Sequence, residues 1–234
     1  IDYTHGTKPG NVVEAAYLLR TGYHYFPRST VHVVVVDPGV GSTRRAVAIQ
    51  TPEATFIGPD NGVFTLIVED AQRDWGAGVQ IIELTDPTFW LPNPSATFHG
   101  RDIFAPVAAH IVSGTPFAAI GTPIDTLVQA NRTTPQPLGD ERLMGRIVHV
   151  DRFGNCITNI TQEHLRAQGI GPQLVVEIID QQLPGLFRTY TDGPVGIPMC
   201  LIGSSGHVEL AVCNGNAANY LGVDIGDKLR VHGI

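Results

Sequence analysis

The sequence predicts an α/β protein: an N-terminal α/β domain on a central, mostly parallel sheet, then a smaller, β-rich C-terminal domain. Three observations carry this expectation. The run VHVVVVDPGVGSTRR, Val31 to Arg45, opens as an unbroken apolar β-branched segment, the pattern of a strand covered on both faces in a parallel sheet. Helical periodicity alternates with strand-like runs through the first half of the chain. From Gly145 onward the pattern changes to short alternating strands separated by Gly, Pro and Asp turns.

Taken in order, Asn11 to Leu19 reads as a helix with Val12, Ala15, Ala16 and Leu19 on one face. A Pro-containing loop leads into the valine strand. Ala46 to Gln50 and Thr55 to Ile57 read as a hairpin ending in the turn Gly58-Pro59-Asp60-Asn61-Gly62. Phe64 to Asp70 is expected to be helical and Gln80 to Leu84 a short strand. Asp86 to Pro94 reads as a loop with exposed Phe89 and Trp90. From Asp102, IFAPVAAHIVSG reads as a helix closed by Gly114. Pro116 to Asp140, rich in Pro, Thr and Asn, reads as an interdomain connection, which puts the domains at 1–130 and 131–234. The second domain is expected to use strands at 146–150, 174–179, 208–212 and 228–231.

The 234 residues are 43% hydrophobic and only 16% charged, so much of the chain belongs in cores or subunit contacts. A formal charge of −7 with no basic stripe argues against a nucleic-acid partner. No apolar run is long enough to span a bilayer, so no membrane partner is expected. Cys156, Cys200 and Cys213 are widely spaced, which reads as buried free thiols in a reducing, cytoplasmic compartment. Nine histidines form no HxH or HExxH array, so no metal site is expected.

Five constellations could carry chemistry. Asp37 is released at the end of the valine strand on a Pro-Gly turn, and Arg44 could return to it and hold it ionised. An ordinary strand exit with a surface ion pair fits those residues equally well. In FHGRD, His99 follows a loop and precedes a helix, whose amino end favours a neutral imidazole; a structural His is the competing reading. PDNG, Pro59 to Gly62, is a turn by default. DRFGNCITNI offers a carboxylate, an aromatic face and an amide together in Asp151, Phe153 and Asn155, a set that suits a planar heterocycle and an amine, or simple packing. SSGHVELAVCNGNAA puts Ser204 and Ser205 before a glycine, where two hydroxyls can bind a carboxylate, or where a serine-rich hairpin simply turns.

In this order, the five motifs resemble the S-adenosylmethionine (SAM) hydroxide adenosyltransferases, the adenosine-forming SAM hydrolases related to fluorinase and chlorinase. The resemblance runs from Asp2-Tyr3-Thr4-His5 to the C-terminal glycine loop. It implies hydrolysis of SAM to adenosine and methionine without a cofactor, a barrel-like C-terminal domain, and a homotrimer with active sites between neighbouring subunits. It implies a catalytic set of Asp37, Arg44 and His99 that positions and activates water. It assigns substrate binding to Asp151, Phe153 and Asn155, to Ser204 and Ser205 at the methionine carboxylate, and to Tyr190 and Asn214 beside the adenine. The halogenases carry Tyr at the position of Asp37, and the fluorinase has Tyr-Ser in place of His99-Gly100, so water is the expected nucleophile. A non-catalytic SAM- or adenosine-binding protein is the alternative. The family's first strand, with its ribose-binding Asp, lies before Ile1 and is expected to belong to a segment outside these residues.

Overall fold

Thr51 closes a tight turn by accepting the Ala54 amide on its hydroxyl at 3.1 Å, and a turn that tight can join only antiparallel strands. The computed structural model describes residues 1–131 and 133–233. They fall into two compact units, Ile1–Asn131 and Arg132–Ile234.

In the first unit the helices are α1 (Val12–Gly22), α2 (Thr65–Trp75) and α3 (Ala105–Val112), and the strands are β1 (Thr30–Val33), β2 (Ala46–Gln50), β3 (Ala54–Pro59), β4 (Gln80–Glu83) and β5 (Thr122–Pro123). The sheet order is β1-β3-β2-β4-β5. Only β1 and β3 pair in parallel; β3–β2, β2–β4 and β4–β5 are antiparallel. The expected mostly parallel sheet is therefore corrected to a mixed one, because the hairpin at Thr51 reverses the chain inside it. Strand alternation then sorts the side chains. Val47, Ile49 and Phe56 pack with Ala15, Leu19 and Ile67 of α1 and α2. Ala48, Ile57 and Ile82 pack with Val107 of α3 and with Ile103 and Phe104 just before it. Helices thus cover both faces, the layering of an α/β unit.

Three details differ from the sequence expectation. The valine strand is only partly covered on its second face: Val34 and Val36 pack into one core and Val31 against the other, whereas Val33 and Val35 are 41% and 48% exposed. Phe89 and Trp90 are not exposed loop residues but pack partly buried against the α3-side core. Much of the supposed connection belongs to the first unit, since Ile120 is fully buried and β5 pairs with β4.

The second unit contains β6 (Gln136–Pro137), β7 (Arg142–Val150), β8 (Cys156–Thr161), α4 (Gln162–Ala167), β9 (Leu174–Ile178), β10 (Gln181–Pro184), β11 (Leu186–Phe187), β12 (Pro198–Ile202), β13 (His207–Val212), α5 (Ala217–Leu221) and β14 (Lys228–Gly233). The strands run in the order β10-β9-β14-β7-β8-β13-β12-β11, a nearly closed, barrel-like sheet around Ile147, Ile160, Val176, Leu210 and Val231. β7 serves both halves, pairing with β14 through residues 142–146 and with β8 from Ile147 onward. A register irregularity between Ile147 and His149 bends it, the usual device for curling a sheet. The three cysteines are free and buried. No helix among the described residues is long and apolar enough to cross a membrane.

Candidate active site

The first group of functional side chains is placed by the turn after β3. Asn61 donates its side-chain amide to the Val36 carbonyl at 2.8 Å, which fixes the backbone immediately before Asp37. Asp60, 3% exposed, accepts both Arg45 Nε at 2.8 Å and the Val128 amide at 2.8 Å. The PDNG turn therefore does more than reverse the chain: it locks the residues on either side of the Asp37–Arg44 loop.

That loop is itself hydrogen-bonded. Ser42 donates its amide (3.1 Å) and hydroxyl (2.6 Å) to the Gly39 carbonyl, and its hydroxyl accepts the Arg44 amide at 3.2 Å. Gly41, with φ of +78°, lies so close to the Ala96 carbonyl that no Cβ would fit. The chain turns back, and Arg44 meets Asp37 in a bidentate pair, Nε to Oδ1 at 2.9 Å and Nη2 to Oδ2. The side chains are only 9% and 5% exposed. The guanidinium lies over the Phe104 ring, 5.3 Å from its centroid.

His99 joins this pair from the segment that leads into α3. It caps a π-helical turn, Gly100–Phe104, that runs straight into α3, where a helix beginning at Asp102 was expected. Its Nδ1 is 2.9 Å from Arg44 Nη2. A guanidinium can only donate, so Nδ1 must accept, and the ring is neutral with its proton on Nε2. Burial first, and the Arg44 charge second, hold the His99 pKa below 6.5, against the opposing pull of Asp37 and Asp102. The preceding loop is tied by Asp102, whose carboxylate accepts the Ser95 amide at 2.8 Å.

The second group lies in the second unit, around the β7–β8 turn. Asp151 accepts the Phe153 and Asn155 amides on Oδ1, each at 2.9 Å, and the Asn155 side-chain amide on Oδ2 at 2.9 Å. Phe153 is left 78% exposed at the tip. Gly154, with φ of +85°, packs directly against the Asn216 side chain, which in turn caps α5 by accepting the Asn219 amide at 2.7 Å. Together Asp151, Phe153, Asn155, Tyr190, Asn214 and Asn216 line a cavity of about 750 Å³, within the size range of small-molecule sites.

Ser204 and Ser205 are elsewhere. They form the β12–β13 turn and are not among the residues lining that cavity; Ser205 instead lies against His207, its Oγ 3.2 Å from Nδ1. The sequence reading missed two residues. Asn216 follows an Asn-Gly pair that looks like any turn. Glu209, 6% exposed, accepts the Tyr190 hydroxyl at 2.5 Å from within β13.

Comparison with known proteins follows the same division of the chain. Residues 1–121 match the family model described as SAM hydroxide adenosyltransferase N-terminal domain, and residues 145–230 match that of the C-terminal domain. A protein of Salinispora arenicola named (R)-S-adenosyl-L-methionine hydrolase is 38% identical over 239 residues, covering 99% of this chain and 85% of that protein. A fluorinase of Nocardia brasiliensis is more distant, 26% identical with 90% and 79% of the two chains covered. Among solved structures, an uncharacterized conserved protein of Thermotoga maritima superposes with a TM-score of 0.87 at 34% identity, over 99% of this chain and 88% of that one.

Proposed function

The chain belongs to the SAM hydroxide adenosyltransferase family, and from that premise we propose how its own residues hydrolyse S-adenosyl-L-methionine to adenosine and L-methionine. Water attacks the ribose 5′ carbon in line with the departing sulfur. The C–S electron pair leaves on sulfur, so methionine departs as a neutral thioether and the water proton must go to a base. The sulfonium is already a good leaving group, and the reaction needs neither a cofactor nor a general acid. Geometry and a more nucleophilic water are what the protein supplies, and positioning alone is worth about 7–11 kcal/mol.

The observation that carries the assignment of roles is the Arg44–His99 contact. With Nδ1 occupied by a guanidinium N–H, His99 offers its Nε2–H rather than a basic lone pair. Asp37, held bidentate by Arg44, retains free lone pairs on both oxygens. Asp37 is therefore the acceptor for the water proton, His99 orients the water by donating to its oxygen, and Arg44 aims both. In the second unit, Asp151 and Asn155 take the methionine amine, and Phe153, Tyr190 and Asn214 the adenine; the shared cavity supports this reading. Ser204 and Ser205 take the methionine carboxylate in the same proposal, although they stand outside the lining.

The two residue sets occupy separate units, and the family relationship supports a homotrimer with active sites between neighbouring subunits; sedimentation analysis tests it. Three free thiols accord with a cytoplasmic setting. The function itself is tested by incubating the purified protein with SAM in chloride buffer and separating the products. Adenosine with methionine supports the hydrolase. Formation of 5′-chloroadenosine would replace it with a halogenase, and binding without conversion would leave only a SAM-binding protein.

A further inference from the structure

Glu209 is out of place by ordinary rules. Every residue of β13 is buried, and across the sheet Glu209 stands opposite Leu201 on one side and Ile157 on the other. A carboxylate among such neighbours is unfavourable unless a donor satisfies it. The donor here is a phenol: Tyr190 gives its hydroxyl to Oε1 at 2.5 Å, a short, charge-assisted hydrogen bond. The other oxygen, Oε2, packs against Gly203, so closely that a Cβ at that position would overlap it. Glu209 thus sits beneath both Tyr190 and the residue that precedes Ser204.

Tyr190 belongs to the segment 188–197, which is tied to the end of β13 by a bridge between Val195 and Cys213 and packs Gly193 against Met199. Thr189 makes a local bond to Asp192 at 3.0 Å, and Gly196 donates to the Cys213 carbonyl at 3.1 Å. Val195 and Ile197 are 69% and 51% exposed. Tyr190 itself is 42% exposed, yet its hydroxyl reaches the buried carboxylate while its ring lines the cavity shared with Asp151, Phe153 and Asn214. A loop side chain left to itself would sample several rotamers, and ordering it on binding opposes affinity. The buried acceptor removes that freedom in advance.

We propose that Glu209 is a positioning residue for SAM: by accepting the Tyr190 hydroxyl from inside β13, it holds the Tyr190 ring as a fixed wall for the planar base of the substrate. The inference rests on the SAM-hydrolase reading and extends it to a residue that does not line the cavity. Burial and the Asp151 charge both push the Glu209 carboxyl above the usual carboxylate range, and the Tyr190 hydrogen bond opposes them, so the phenol is what makes the ionised form tolerable there.

The test compares Glu209→Gln, Glu209→Leu, Tyr190→Phe and the Leu/Phe double variant by steady-state kinetics with SAM. Hydrogen exchange of segment 188–197 is measured alongside. Gln keeps an oxygen that accepts the phenol, Leu keeps bulk without an acceptor, and Phe keeps the ring without a donor. KM is expected to rise about tenfold in the Leu and Phe variants, the loss of one buried hydrogen bond, with kcat within about twofold. The double variant is expected to be no worse than either single one, because both remove the same contact. Gln is expected to restore most of the affinity, and exchange in 188–197 is expected to quicken in Leu and Phe but not in Gln. Additive effects, a Gln variant as impaired as Leu, or a fall in kcat at unchanged KM would overturn the assignment. Should Glu209→Leu fail to fold, the Phe and Gln variants still decide it. Wild-type protein that converts no SAM would overturn the functional reading and this inference together; normal wild-type turnover with unshifted KM in the variants would overturn the inference alone.

Discussion

Arg44 Nη2 lies 2.9 Å from His99 Nδ1 while the same guanidinium grips Asp37 through two further bonds, so one cation fixes the orientation of a carboxylate and the tautomer of an imidazole together. Protonating His99 at Nδ1 would set two donors against each other.

This relationship fixes the sign of a pH effect. The His99 pKa in the folded protein is lowered from 6.5 by burial and by Arg44. The unfolded chain therefore binds more protons between the folded value and 6.5, and stability rises with pH across that window and is lost as pH falls through it. The acid limb of kcat/KM is expected below pH 6.5 for the same reason. NMR titration of the His99 ring should show its pKa rising in Arg44→Met and falling further in Asp37→Asn. A wild-type His99 titrating above 6.5 would remove the basis for the neutral tautomer.

Asp37→Asn keeps a similar shape but cannot take a proton. We expect kcat to fall about 10²–10⁴-fold with KM changed by no more than about threefold, the signature of an interaction made in the transition state. Asp37→Ala is expected also to lower stability by about 3–5 kcal/mol, because it strands a guanidinium whose side chain is only 9% exposed. Chromatographic turnover and thermal unfolding read the two effects separately. Full turnover in Asp37→Asn would transfer the base role elsewhere.

How much of this was legible in the sequence depends on how local the cause is. The Asp37–Arg44 pair and the Asp151–Asn155 turn close within a few residues, so spacing alone pointed to them. His99 could be named but not its tautomer, because the Arg44 contact spans 55 positions and is made by tertiary packing. The parallel character of the sheet was overread: an all-apolar run resembles a strand buried on both faces, yet Val33 and Val35 are left partly in solvent. Glu209 was invisible for the opposite reason. In HVELAV it alternates with Val208 and Leu210 and so reads as a solvent-facing residue, whereas here both faces of β13 are covered.

Asp60 carries a prediction about stability rather than chemistry. Its carboxylate joins Arg45 to the Val128 amide, and Asp60→Ala removes the acceptor of that amide and leaves Arg45 only the Thr126 carbonyl. The expected loss is about 2–3 kcal/mol. For a chain of this size, each kcal/mol lowers Tm by about 2–4 °C. A Tm unchanged in differential scanning calorimetry would mean that the PDNG turn is held by Asn61 and its neighbours alone.

Gly154 separates shape from chemistry in the second unit. An alanine there must adopt φ of +85° and overlaps the Asn216 side chain, so it displaces the residue that caps α5. Left-handed backbone at a non-glycine residue is unfavourable by about 1–2 kcal/mol, and loss of an Asn cap adds about 1 kcal/mol. Gly154→Ala should thus lower stability and move both the Asp151–Asn155 turn and the Asn214–Asn216 loop, which line the same cavity. KM for SAM is expected to rise about tenfold or more while kcat holds, since the Asp37–Arg44–His99 set belongs to the first unit. Calorimetric titration with adenosine should show the same loss of affinity as KM. Unchanged KM in a folded Gly154→Ala protein would mean that this cavity does not bind the substrate.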